Sequence, residues 1–306
     1  MTTPTAVTVR APAKINLELV VGAPRADGFH DLATVFHAVS ITDEVCAEPA
    51  DDITVTVEGA QADQVPCDGT NLAVRAARLL AAHTATRTGA RLHILKGIPV
   101  AGGMAGGSAD AAAALLACDT LWGTGLGRDE LLHLGAQLGS DVPFALVGGT
   151  AVGTGRGERL TEALAVGEYH WVVALAGRGL STPAVYEELD RLRSGEILPA
   201  PRVSEQIMAA LRAADPALLG TRLSNDLEQA ACSLAPELQT TLKIGRSCGA
   251  LGAVVSGSGP TVVFLVKNAD HALDLAVSLE ACDSVRDVRR AHGPVRGAEI
   301  VEHARA

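Results

Sequence analysis

Between Pro99 and Ala112 the chain reads Pro-Val-Ala-Gly-Gly-Met-Ala-Gly-Gly-Ser-Ala-Asp-Ala-Ala, with four glycines in six positions followed at once by an alanine- and leucine-rich run. Glycine admits left-handed backbone and lets a ligand come close to the main chain. A helix that starts directly after such a loop offers unpaired N–H groups and the positive end of its dipole. Together these form an anion cradle of the kind that receives phosphate. Residues 90–95 read as a strand and roughly 109–121 as a helix, so the context is strand, glycine loop, helix. Neither common nucleotide fingerprint is present: no lysine follows a glycine, and Gly-x-Gly-x-x-Gly does not occur. A tight connection in a small-residue core would explain the loop equally well. Other residues have to decide.

At 306 residues the chain exceeds one typical core, and we expect two domains, 1–160 and 161–306, with the glycine-rich stretch 150–157 as their joint. Aromatic residues make up 3% against an apolar share of 48%, so the core is expected to be built from Ala, Val and Leu. A net charge of −10 without a basic tract excludes nucleic acid as the natural partner. Residues 247–266 carry no charge, but Ser256-Gly-Ser-Gly-Pro260 interrupts them, so two strands are expected there and no membrane span. The first residues lack the basic start and apolar core of a signal peptide, and six scattered cysteines without CxxC suit a reducing compartment; the expected location is cytoplasmic. The histidines form no HExxH, and no metal ligands are assigned.

Along the chain, strands are expected at 6–10 and 13–21 on either side of Ala11-Pro12, then at 32–41 and 53–58. A helix follows over 71–83 with Asn71 at its cap, and another over 128–138. The second half reads as strand 170–176, helices 182–192, 203–213, 224–234 and 236–248, strands 251–256 and 261–266, helix 269–281 and strand 284–291. This mixture is α+β rather than doubly wound.

Three further stretches bear on the loop. In Ala11-Pro-Ala-Lys-Ile-Asn-Leu17 a lysine and an asparagine two apart in a strand share one face. In Leu138-Gly-Ser-Asp-Val-Pro143 an acid stands between backbone breakers, and Ser256–Pro260 is a second glycine turn. Pro-x-Lys-x-Asn, the Pro99–Asp110 loop and Ser-Gly-Ser-Gly-Pro, in this order, resemble the three motifs of the GHMP kinases. Asp27-Gly-Phe-His-Asp31, Leu138–Phe144 and Ser181-Thr-Pro-x-x-Tyr186 resemble one branch of that superfamily, whose acceptor is a cytidyl diphosphate sugar alcohol of isoprenoid synthesis. The motifs run from residue 11 to beyond 260.

The resemblance implies a two-domain fold, with an N-terminal domain like ribosomal protein S5 domain 2 and a C-terminal ferredoxin-like α/β sandwich. It implies ATP as phosphoryl donor with Mg²⁺, a small-molecule acceptor, and a monomer or homodimer. Asp141 takes the role of base and Lys14 of its charged partner; physically, an ammonium beside a carboxylate favours the ionised form. Pro99, Gly102, Gly103, Met104, Ala105, Gly106, Gly107 and Ser108 are carried over as the phosphate loop, with Asn71 and Lys96 lining the adenine and ribose pocket. Helix capping by Asn71 and a surface position for Lys96 are the plain alternatives. Asn16, Phe29, His30, Thr182 and Tyr186 correspond to acceptor positions. Two departures stand out: Met104-Ala105 replaces the usual Leu-Gly, where a positive φ at Ala105 would be strained, and Phe29 replaces tyrosine. A homoserine or mevalonate kinase, or a silent nucleotide-binding protein on the same fold, is the rival reading.

Overall fold

The computed structural model describes residues 4–59 and 61–305. Its first half contains strands β1 (Pro4–Pro24), β2 (His30–Ala50) and β3 (Thr54–Gly59), helix α1 (Leu72–Thr84), β4 (Gly89–Lys96), and helices α2 (Gly106–Trp122), α3 (Arg128–Leu138) and α4 (Val142–Val147), followed by β5 (Thr150–Gly155) and β6 (Arg159–Glu162). Then come β7 (Tyr169–Leu175), α5 (Thr182–Leu192), α6 (Glu205–Ala213), α7 (Pro216–Gly220), β8 (Ser224–Asn225), α8 (Glu228–Leu234) and α9 (Glu237–Ser247). The chain ends with β9 (Gly252–Val255), β10 (Val262–Val266), α10 (Ala269–Glu280), β11 (Asp287–Gly293) and β12 (Glu299–Arg305).

The period-two pattern of the first strand organises the larger sheet. Val7, Val9, Ala11, Ala13, Ile15 and Leu17 all point into one core, and Lys14 and Asn16 therefore share the other face; at the register shift between Asn16 and Glu18 the faces exchange, and Leu19 and Val21 join a second core. Pro12 does not end the strand: the pairing with β2 shifts register between Pro12 and Ala13, a bulge that tolerates the missing N–H. The sheet runs β12-β1-β2-β4-β3, with the β5–β6 hairpin attached to β2 and β8 parallel to β1. The smaller sheet, β11-β7-β10-β9, is antiparallel throughout. α2 carries Ala109, Ala111–Ala114, Leu115, Ala117, Cys118 and Leu121 buried, so it is apolar on nearly all sides and sits centrally, against β1, β2 and three helices. Its small side chains let the neighbours close in, and its N-terminus faces the region between the two sheets.

Three expectations are corrected. The stretch 150–157 is a strand and the start of a hairpin turn rather than a joint, because its residues pair with β2. The helix expected over 224–234 begins only at Glu228; residues 224–225 form β8, and Asn225 spends its side chain on the Val255 and Gly257 carbonyls. The terminal strand β12 has no counterpart among the expected elements. The uncharged stretch is β9, a glycine turn and β10, and no helix among the described residues is long and apolar enough to cross a membrane.

His37 marks the junction of the sheets. It is fully buried on β2, its Nδ1 lies 2.9 Å from the Thr150 hydroxyl, and its ring lies 5.9 and 5.7 Å from those of Tyr169 and Trp171. Burial pushes its pKa down to about 3. The unfolded chain takes up this proton near pH 6.5 and the folded one does not until about pH 3, so stability is lost as pH falls through that window. At pH 5 the loss amounts to about 2 kcal/mol. Unfolding titrations at pH 7 and pH 5 should show this decrement in the wild type and not in His37→Gln; equal decrements in both would contradict the assignment.

Candidate active site

The glycine loop leaves β4 at Lys96 and enters α2 at Gly106. Left-handed backbone occurs at Ala101 (φ 54°), Gly103 (71°) and Ala105 (61°). No side chain caps α2, so its first amides stay directed at whatever the loop holds. Ala105 thus adopts the strained conformation that an alanine in place of glycine implied, at a cost of about 1–2 kcal/mol. Ala105→Gly should relieve part of this, raising the melting temperature by about 1–3 °C; a lower melting temperature would contradict the strain. At Gly103 a Cβ would run into the Ser256 carbonyl, and the Ser256 hydroxyl donates back to the Gly103 carbonyl at 3.4 Å. The third motif is therefore packed directly on the loop.

A cavity of about 410 Å³ opens on one side of the loop, lined by Pro99, Gly102, Gly103, Ala105, Gly106 and Gly107. Asn71 and Lys96 line it as well. Asn71 accepts from the Ala73 N–H and donates to the Pro66 carbonyl, both at 2.8 Å, so it caps α1 and fixes the adjoining wall. Lys96 is not at the surface: its ammonium lies buried between Asp43 at 2.5 Å and Asp110 at 2.7 Å. Burial works against that charge, but Asp110 and Asp43 outweigh it and hold its pKa above the ordinary value. Two expected loop residues lie outside the cavity lining. Met104 is wholly in the core, where its carbonyl accepts the Lys14 N–H at 3.2 Å, and Ser108 stands in the first turn of α2.

A second cavity, about 450 Å³, lies on the other side and gathers Lys14, Asn16, Asp141, Phe29, His30, Thr182 and Tyr186. Gly103 and Ala105 line both cavities, which therefore meet at the loop. The Lys14 ammonium donates to Asn16 Oδ1 at 2.7 Å, stands 3.8 Å from Asp141 Oδ2, and lies 5.6 Å from the centroid of the Phe36 ring. Asn16 is oriented in turn by the Thr34 hydroxyl at 2.8 Å. Asp141 precedes the Val142-Pro143 start of α4, yet its side chain caps nothing, so the carboxylate is left for Lys14 and the cavity.

At the far end His30 Nε2 lies 2.9 Å from Asp190, and its ring centroid is 5.0 Å from that of Tyr186. Burial, and then the Asp141 charge, push the Tyr186 phenol above its ordinary range, so the hydroxyl stays a donor. The Thr182 and Ser258 hydroxyls share a hydrogen bond at 2.8 Å. Phe29 stands at the mouth, half exposed, with the Arg156 guanidinium 5.0 Å from its ring centroid. Sequence reasoning missed Arg156 and Asp190. A lone arginine between Gly155 and Gly157 was a usable signal for the first; Asp190 lies 160 positions from its partner and gave none.

The profile described as GHMP kinases N terminal domain matches residues 71–149, and that described as GHMP kinases C terminal matches 207–283. Full-length relatives agree. A 4-diphosphocytidyl-2-C-methyl-D-erythritol kinase of Streptomyces coelicolor is 59% identical over 97% of this chain and 99% of its own length. The chain belongs to the GHMP kinases. A protein of the same name from Mycolicibacterium smegmatis is 54% identical, over 96% of this chain and 92% of the relative. Among solved structures, a 4-(cytidine 5'-diphospho)-2C-methyl-D-erythritol kinase superimposes with a TM-score of 0.75 at 34% identity, covering 93% of this chain and 98% of its own. The mevalonate kinase of L. major reaches the same TM-score at 18% identity, over 97% and 100% of the two chains, and shows the shared two-domain fold alone.

Proposed function

We propose that this GHMP kinase transfers the γ-phosphoryl group of ATP to the 2-hydroxyl of 4-diphosphocytidyl-2-C-methyl-D-erythritol, in the non-mevalonate route to isoprenoid precursors. The observation that carries the reading is the pair of cavities meeting at Gly103 and Ala105, with Lys14 and Asp141 in the second. Nucleotide occupies the cavity beside Asn71 and Lys96, its phosphates on the loop and the start of α2. The acceptor occupies the other, its cytosine between Phe29, His30 and Tyr186 and its hydroxyl toward Asp141.

Asp141 accepts the hydroxyl proton as the acceptor oxygen bonds to the γ-phosphorus and the bond to ADP breaks. Lys14, oriented by Asn16, neutralises charge on the moving phosphoryl group. The Arg156 guanidinium, which forms no ion pair among the described residues, faces the diphosphate of the acceptor and adds a countercharge. A silent nucleotide binder would have no use for the Lys14–Asp141 pair.

Among the described residues no three acidic, histidine or cysteine side chains converge as a metal site, which suits an ion carried in on phosphates and met by one carboxylate. Asp110 fits: its Oδ1 is buried without a partner, and the residue lines the nucleotide cavity. Bound there, Mg²⁺ would neutralise phosphate charge. The reading places the protein in the cytoplasm and keeps the division 1–160 and 161–306, with β6 straddling it and β12 returning to the first sheet.

Acceptor-dependent ADP release, measured against the cytidyl substrate, mevalonate and homoserine, tests the proposal. Turnover with the cytidyl substrate at least a hundredfold above the other two is expected. Turnover only with mevalonate or homoserine would overturn the specificity, and acceptor-independent behaviour would overturn the kinase.

A further inference from the structure

The buried Lys96 cluster ties the glycine loop together at its base. Asp43, on β2 and wholly buried, uses both oxygens: Oδ1 accepts the N–H groups of Gly97 and Ile98 at 2.7 and 2.8 Å, and Oδ2 holds the Lys96 ammonium. The same ammonium reaches Asp110 on α2, 14 positions along the chain. Asp43 thus grips the entry of the loop, Asp110 belongs to its exit, and Lys96 joins them. The fit is close: a Cβ on Gly97 would run into the Thr42 carbonyl, and one on Gly106 would lie 3.2 Å from Lys96 Nζ.

Stability alone is a poor reason for this arrangement, since apolar residues of similar volume commonly serve a core as well as buried charges do. The loop, by contrast, holds Ala101 and Ala105 in left-handed backbone, which persists only where surrounding contacts over-determine it. We infer that Asp43 is the positioning residue of the donor site: through Lys96 and the Gly97 and Ile98 amides it closes the loop at its base and holds it shaped for the nucleotide's phosphates. The inference rests on the assignment of that cavity to ATP.

The test is calorimetric binding to the full chain without acceptor, using ATP with Mg²⁺ as probe of the loop cavity and CDP as probe of the other. Asp43→Asn preserves volume and should weaken ATP at least tenfold while CDP affinity stays within twofold. Asp110→Asn keeps every Asp43 contact but loosens the exit, and should weaken ATP at least threefold in Mg²⁺-free buffer as well, where loss of a metal contact plays no part. A merely structural role would lower the melting temperature and move both probes together or neither; either result overturns the inference. If Asp43→Asn does not fold, unchanged ATP affinity in Asp110→Asn overturns it alone. Wild-type protein that binds no ATP would instead overturn the donor-site assignment on which the inference stands.

Discussion

Asp141→Asn is expected to lower kcat by about 10²–10⁴-fold, the contribution of a positioned base, with ATP affinity within about twofold of wild type. The amide keeps the size and shape of the carboxylate but cannot take the hydroxyl proton. No helix cap is lost, because the Asp141 side chain caps nothing, and the residue lines the second cavity and not the one beside Asn71 and Lys96. The substitution also removes the ion-pair partner of Lys14, which keeps Asn16 and so retains a hydrogen bond. Steady-state kinetics paired with nucleotide titration separates the two effects. Turnover within tenfold of wild type would remove Asp141 from the chemistry.

Gly103→Ala is expected to cost at least a hundredfold in kcat/KM for ATP and about 3 kcal/mol of stability. Gly103 has φ 71°, and its missing Cβ makes room for the Ser256 carbonyl, with the Gly259 carbonyl 3.1 Å from the same point. A methyl group would therefore drive the second and third motifs apart where the two cavities join. A displacement of about 1 Å between donor and acceptor is enough for a hundredfold loss. Gly123→Ala is the control: its φ is 64°, nothing lies within 4 Å of its absent Cβ, and it ends α2 far along the helix from the loop. That variant should lose about 1 kcal/mol from backbone strain and keep its activity. Equal behaviour of the two variants would show that the contact with Ser256 is not what Gly103 is for.

Much of this site is legible in local chemistry. The alternation through β1 is enough to put Lys14 and Asn16 on one face, and the Asn71 cap and the strand–loop–helix context follow from residue types a few positions apart. Of the four lysines in an arginine-rich chain, Lys14 and Lys96 are buried and line the two cavities, while Lys243 and Lys267 are exposed. What stays hidden depends on distant pairing. For Lys96 a place in the pocket and a surface position at a strand end both stay open until Asp43, 53 positions earlier, is brought against it. The 150–157 stretch reads as a joint because glycines weaken the strand signal, whereas its register with residues 32–37 is set by the sheet. β12 ends the chain, and only its pairing with β1 makes it a strand. Phe29 lines the second cavity, but its half-exposed setting under Arg156 depends on the β5–β6 turn.

On the proposed mechanism, phosphoryl transfer occurs where the two cavities meet. A crystal structure with a non-hydrolysable ATP analogue and the cytidyl acceptor bound together tests it most directly. The γ-phosphate is expected on the loop at Gly103 and Ala105, with the acceptor 2-hydroxyl about 3–3.5 Å from its phosphorus and within hydrogen-bond reach of Asp141. Nucleotide seated among Phe29, His30 and Tyr186, or an acceptor hydroxyl out of reach of Asp141, would contradict it.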